Sequence, residues 1–397
     1  MKRIIVGLLL LGPLSSTHAQ DDTSNKFGKG IGIVAADSSF SMKFSTRIQT
    51  LFIAEMADDA EGLEDVSTNW LIRRARLKFG GFAYTPKLEY KIELGLTNRD
   101  ISGVGPEVSN TPRVILDAYT KWNFAGNFEL WAGQTKLPGN RERVISSQQL
   151  QFVDRSLVNS RFNLDRDIGI QLRHSFKAGN QVFREALAIS QGEGRNVTIG
   201  NQGGLEYTAR LEWLPLGSFT KKGDYSGSDL KRESKPKVSI GLTYDYNDRS
   251  ARTNGNLGSY VPDSVFNSLS SIQADLMFKY KGFSVMAEYI SRTAEDPLVR
   301  DTTGTIIGNF YTGSGISLQA GYLFNCNWEV AARYTTVTPT LETGRDIQDM
   351  YTLGVSRYIV EHALKVQTDF SYTIETDQLT GTEAGEYMWR LQFELAF

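Results

Sequence analysis

The 397-residue chain carries 43 Lys and Arg against 45 Asp and Glu, with 40% hydrophobic residues and a mean hydropathy of −0.30. No global basic field points to nucleic acid, the single Cys326 excludes an internal disulfide, and no later run is long and apolar enough for a membrane-spanning helix. A hydropathy in the soluble range does not exclude a transmembrane β-barrel, whose strands hide their apolar face in alternation.

Residues 1–19 read as an export signal. Lys2 and Arg3 supply a basic start, Ile4 to Leu11 an apolar stretch, and Thr17-His18-Ala19 a small-x-small cleavage site. The stretch falls well short of the roughly 20 residues a spanning helix needs, and Gly12 and Pro13 end it. Cleavage after Ala19 would leave 41 basic against 45 acidic residues, a net charge of −4. With no Cys after the cut, a lipid anchor is not expected; residues 20–38 are expected as an N-terminal periplasmic segment and 39–397 as the barrel.

From residue 39 the pattern has a period of two, which places alternate side chains on opposite faces of a strand. In 39–56, Phe40, Met42, Phe44 and Ile48 oppose Lys43, Arg47 and Gln49. In 69–85, Leu77 and Phe79 facing lipid would send Arg74, Arg76 and Lys78 into the lumen and Arg73 outward near the extracellular rim. Over residues 69–91 six basic residues stand against Glu89 alone, a local charge of +5. Strands follow at 87–100, 113–127, 128–138, 166–180, 182–194, 204–217, 236–250, 269–282, 283–296, 312–327, 328–340, 350–362, 363–377 and 387–397. The last has Tyr387, Trp389, Leu391, Phe393, Leu395 and Phe397 on one parity and Arg390, Gln392 and Glu394 on the other. It resembles the C-terminal strand by which outer-membrane proteins are recognised for insertion. Sixteen strands in all predict an antiparallel transmembrane β-barrel with lipid outside and water within.

Connections alternate in length. Thr85-Pro86, Ala125-Gly126-Asn127, Ala178-Gly179-Asn180, Lys281-Gly282, Asn325-Cys326-Asn327 and Glu361-His362 read as tight periplasmic turns, and long polar loops lie between them. Residues 218–235 break the rule: a short turn is due, and Lys221, Lys222, Asp224, Lys231, Arg232 and Glu233 stand there instead. A solvated excursion and a docking site for a periplasmic partner are both consistent with them. Loop 139–165 is too long for a turn, and Val144, Ile145, Leu150, Phe152, Val153, Leu157 and Val158 offer anchors against a barrel wall.

Two stretches, Arg73-Arg74-Ala75-Arg76-Leu77-Lys78-Phe79-Gly80-Gly81 with Leu88-Glu89-Tyr90-Lys91-Ile92, and Gln151-Phe152-Val153-Asp154-Arg155-Ser156-Leu157 with Arg166-Asp167-Ile168-Gly169-Ile170-Gln171-Leu172, carry a family resemblance. On them the chain resembles the phosphate-selective porin O and P family. The resemblance implies a sixteen-stranded barrel, a homotrimer, and an inward-folded third loop that narrows the pore, here 139–165.

The candidate anion-binding and pore-lining residues are Lys43, Arg47, Arg74, Arg76, Lys78, Lys91 and Lys121 on the wall and Arg141, Arg143, Arg155 and Arg161 on the loop. Arginine suits an anion filter because its planar fork pairs with phosphate or carboxylate oxygens and stays charged. Any one loop arginine serves equally well by pairing with wall acids such as Glu89, Glu93 or Asp117. Inward Asp245, Asp275, Glu288, Glu329 and Asp369 would face the basic wall and set a transverse field, as in general diffusion porins.

The expected function is passive diffusion of small solutes with a lean to anions such as phosphate. The expected surroundings are outer-membrane lipid and lipopolysaccharide, with assembly machinery engaged through Phe397. A specific uptake channel for an organic anion, or a non-conducting surface barrel scaffold, is the alternative. An enzyme is not expected: past the signal only His174, on the lipid parity, and His362, in a turn, remain, neither beside a lumenal serine. No metal or cofactor motif is present.

Overall fold

The computed structural model describes residues 27–397 except 60, 61, 64, 102–104, 263 and 264, so the expected signal peptide lies outside the described residues. Sixteen strands form the wall: β1 (Ser41–Asp59), β2 (Ser67–Ala83), β3 (Thr85–Gly95), β4 (Ile115–Ala125), β5 (Phe128–Lys136), β6 (Arg166–Ala178), β7 (Gln181–Ser190) and β8 (Glu206–Leu214) make one half. The other half is β9 (Lys237–Ser250), β10 (Asn267–Tyr280), β11 (Phe283–Ala294), β12 (Gly313–Leu323), β13 (Trp328–Pro339), β14 (Ile347–Val360), β15 (Leu364–Thr376) and β16 (Glu383–Ala396). Each pairs antiparallel with its neighbour, and β1 meets β16 from Arg47↔Ala396 to Asp58↔Gly385, which closes the ring and leaves no edge along that seam. Below the seam, Ile31–Val34 pairs with Ser41–Phe44 and covers the part of β1 that β16 does not reach.

The alternation of the sequence becomes an inverted protein. Large apolar side chains such as Trp70, Ile72, Leu187, Leu242, Leu353 and Phe393 stand exposed on the outer face, while Arg47, Lys279, Arg292 and Lys365 are among the most deeply buried side chains. An apolar band around the whole circumference is far larger than the patches water tolerates and matches a lipid-facing wall.

The short turns lie on one rim. The first comes one residue earlier than expected: Tyr84, at φ 64°, makes the reversal, and Thr85 already belongs to β3. Lys281-Gly282 and Gly179 supply the left-handed residues that two-residue hairpins require.

Three expectations are corrected. Between Gln49↔Arg74 and Thr50↔Ile72 the register of β1 and β2 shifts, so Arg73 is the extra residue of a β-bulge. A bulge resets parity, and Arg73 points inward beside Arg74 rather than outward. Second, residues 215–236 are no solvated excursion, nor do they hang free for a partner: Phe219, Asp224, Ser228, Asp229 and Glu233 are buried within the barrel. Third, the inward acids of the far half do not face open water. Asp275 holds Arg141 and Arg210, Glu288 accepts from Asn140 and the Glu142 amide, Glu329 from Gln151, and Asp369 from Arg390 and the Val153 amide. They anchor elements inside the barrel, so a transverse field across an open lumen is not built from them.

Candidate functional site

The loop of residues 137–165 crosses the lumen as a belt. It leaves β5, turns through the short helices Arg141–Val144 and Leu157–Phe162, and returns to β6. Its own polar groups stiffen it: the Ser156 amide and hydroxyl both donate to the Glu142 carboxylate, and Ser156 Oγ caps the second helix by accepting from the Asn159 amide. Arg155 donates to the carbonyls of Glu142 (2.9 Å) and Ile145 (2.8 Å), and Lys136 of β5 donates to that of Arg143.

Both ends of the lumen wall grip this belt. Arg141, fully buried, reaches Asp275 at 3.0 Å, Glu212 at 3.2 Å and Ser239 Oγ at 2.8 Å. On the other side Arg73 and Arg74 share the Asp154 carboxylate at 2.8 and 3.0 Å, and Arg47 donates to Ser147 Oγ. Burial works against charge on Asp154, but Arg74 and Arg73 hold its carboxyl well below the usual carboxylate range. Apolar contacts finish the docking: Ile145 and Leu150 pack with Met277 and Met286, and Val158 and Phe162 with Ile290 and Val337.

A cavity of about 810 Å³ lies between loop residues 144–149 and the inner faces of β2 to β8. Eleven Lys or Arg side chains line it against five Asp or Glu, so its wall is cationic although the chain is acidic overall. Three of the acids, Glu93, Asp117 and Glu212, are each shared by several cations. Glu93 takes Arg76 (3.2 Å), Lys91 (2.9 Å) and Lys78 (3.8 Å), and Asp117 takes Arg166 (2.6 Å) and Lys91 (2.5 Å). Sharing orients the cations without cancelling them. Tyr119 and Trp131 stack at 4.9 Å on the same wall, and Arg173 lies over Trp131 at 4.3 Å.

The candidates named from sequence divide accordingly. Arg76, Lys78, Lys91 and Lys121 line the cavity. Arg47, Arg74 and Arg141 are buried in the contacts that dock the loop, because each meets a carboxylate or loop oxygen before it meets the lumen. Arg143 pairs with Asp165, Arg155 is spent on loop carbonyls, and Arg161 donates to Gln348 at 3.1 Å and lies outside the cavity. Lys43 sits exposed at the periplasmic end of β1, opposite Gly80.

Several lining residues escaped the sequence. Arg173 and Arg184 lie on the inward parity of β6 and β7 and were open to that reasoning. Arg166 shares the parity of outward Ile168, yet the returning loop steers it inward onto Asp117. Lys221 and Lys222 belong to the connection after β8, for which alternation has nothing to say. His174 stacks on Phe128 at 4.0 Å on the outer face, while His362 packs edge-on to Tyr358 and meets Ser226 Oγ at 3.0 Å. Among the described residues no group of His, Cys, Asp and Glu is placed to hold a metal ion.

The sequence matches the family model described as phosphate-selective porin O and P over residues 54–396. A curated relative from Aquifex aeolicus, described as an uncharacterized protein, is 27% identical over 270 residues, 62% of this chain and 60% of the relative's length. Among solved structures, the outer membrane channel DcaP of Acinetobacter baumannii has a TM-score of 0.56 at 12% identity, over 92% of this chain and 99% of that one. An anion-selective porin from Comamonas acidovorans has a TM-score of 0.53 at 12% identity, over 90% and 100%. OmpT of Vibrio cholerae, in its trimer form, has a TM-score of 0.50 at 11% identity, over 90% and 99%. At these identities the structures speak for the fold.

Proposed function

The chain belongs to the phosphate-selective porin O and P family, and from that premise we propose an outer-membrane porin that passes small solutes by diffusion and favours anions, phosphate among them. The observation that carries this reading is the cationic lining, eleven basic against five acidic side chains around a cavity narrowed by the inward loop. In a passage walled by protein such a surplus draws anions and repels cations more strongly than at an open surface. Guanidinium forks at Arg76, Arg166 and Arg173 suit phosphate or carboxylate oxygens.

The test is a salt gradient across a planar bilayer. Reconstituted channels should show a reversal potential favouring chloride over potassium, and added phosphate should reduce the chloride current. Arg76→Glu with Lys78→Glu should shift the reversal potential toward potassium. A wild-type channel that prefers potassium defeats the reading.

One observation favours a second reading, uptake of an organic anion. The Tyr119–Trp131 stack beside Arg173 is a shelf for a flat apolar body next to a cation. Block by an aromatic carboxylate at concentrations where phosphate has no effect would favour it. The surroundings proposed for the barrel are a homotrimer in lipid and lipopolysaccharide, reached after signal cleavage and insertion through the strand ending at Phe397. The trimeric OmpT form and the anion-selective Comamonas porin are consistent with this picture.

A further inference from the structure

Residues 215–236 join β8 to β9 on the rim where every other connection is a tight turn. They enter the barrel and stay there. Lys279 of β10, 1% exposed, gives its three protons to the carbonyls of Gly223 (2.8 Å), Ser226 (2.8 Å) and Ser228 (2.7 Å). Ser228 Oγ donates to Glu329 of β13 and meets Tyr358 of β14. Asp229 accepts from the Gly282 amide at 2.8 Å, and Glu233 from Thr220. An ammonium with all three protons on one segment's carbonyls is a built socket, because a buried ammonium left unpaired is strongly unfavourable.

The segment also locks onto the inward loop. Asp224, fully buried, lies between Arg141 of that loop (3.7 Å) and Arg184 of β7. Gly227 donates its amide to the Gln149 carbonyl at 2.8 Å, and a Cβ there would stand 2.7 Å from the Gln151 amide nitrogen. Phe219 joins Ile145 and Leu150 in one apolar cluster. Lys221 and Lys222, both left-handed at φ 50° and 58°, face the other way, into the cavity. Two consecutive non-glycine residues in that region are strained and persist only where docking holds them.

We infer that residues 215–236 are a fixed periplasmic plug. Together with loop 137–165 it seals the half of the lumen along β9 to β14 and confines the solute path to β2–β8, with Asp224 as the positioning residue that ties plug to loop. This deepens the proposed function and rests on it for what passes, though not for which half is open.

Accessible cysteines decide it. In a Cys326→Ser background, Ser175→Cys lies on the cavity wall, and Ser284→Cys lies opposite Lys279, whose ammonium holds the plug, and against Gln151 of the inward loop, where Ser284 is 1% exposed. A small anionic methanethiosulfonate should label Ser175→Cys and lower its current. Ser284→Cys should be labelled roughly tenfold more slowly or worse, since it reacts only when the plug and the loop stretch it holds undock. Replacing 218–235 with an Asn-Gly turn should raise conductance and make Ser284→Cys reactive. Asp224→Asn in the full-length chain should speed Ser284→Cys labelling if the shortened barrel does not fold. Equal labelling of the two cysteines in the full-length protein overturns the inference. Labelling is read by mass as well as by current, so a barrel that carries no current would defeat the proposed function while the accessibility ratio still decides this one.

Discussion

Asp154 shows how one side chain carries an element. Its carboxylate is shared by two adjacent arginines, and it stands on the belt that crosses the lumen. Asp154→Asn removes the charge and leaves Arg73 and Arg74 facing each other. Because about a fifth of the carboxylate remains exposed (21%), the low end of the cost for breaking a buried pair applies, about 3 kcal/mol. The pH dependence follows from the direction of its shift. A depressed carboxyl stabilises the fold fully above its unfolded value, about 4, and the gain is lost as pH falls through the folded value below that. Thermal unfolding of wild type and Asp154→Asn should therefore differ by a constant amount from pH 7 down to about 4, and the gap should close in stronger acid. A gap that closes near neutrality would mean another group carries the docking.

At the scale of the element, the bulge in β2 is the feature that parity reasoning could not foresee. An extra residue costs the ladder one pairing and here turns a second guanidinium toward Asp154. Deleting Arg73 brings Ile72 next to Arg74, which restores simple alternation with Ile72 and Trp70 still outward. That deletion should leave a heat-modifiable barrel on gels while loosening the inward loop, seen as faster proteolysis within 137–165. Failure of the barrel to form would show that β2 needs the bulge for its own pairing. The loop was legible in its length and its apolar anchors, and the plug only as a length. Alternation predicts what a strand does at each face and is silent on a segment whose partners are lumenal side chains far along the chain.

For the whole molecule, the notable property is that burial and polarity have changed places. The packed interior is a network of shared carboxylates, guanidiniums and amides, while the apolar surface points out. A lumen that is half filled by its own loop and plug gives a narrower and more positive path than sixteen strands would leave if empty. Association through the outer wall belongs to this scale: chemical cross-linking in native membranes should trap dimers and trimers of the chain, and a ladder that stops at the monomer would count against a homotrimer.

Strand number, antiparallel order, the apolar outer face and the cationic character of β2 were written in the sequence, because a period of two is local and every strand repeats it. Which charges face solute was not. Arg76 and Lys78 reach the cavity, whereas Arg74 and Arg141 are taken by carboxylates 80 and 134 residues away. Parity tells which way a side chain points, but only the closed ring and the segments folded into it decide whether water or another residue is there to meet it.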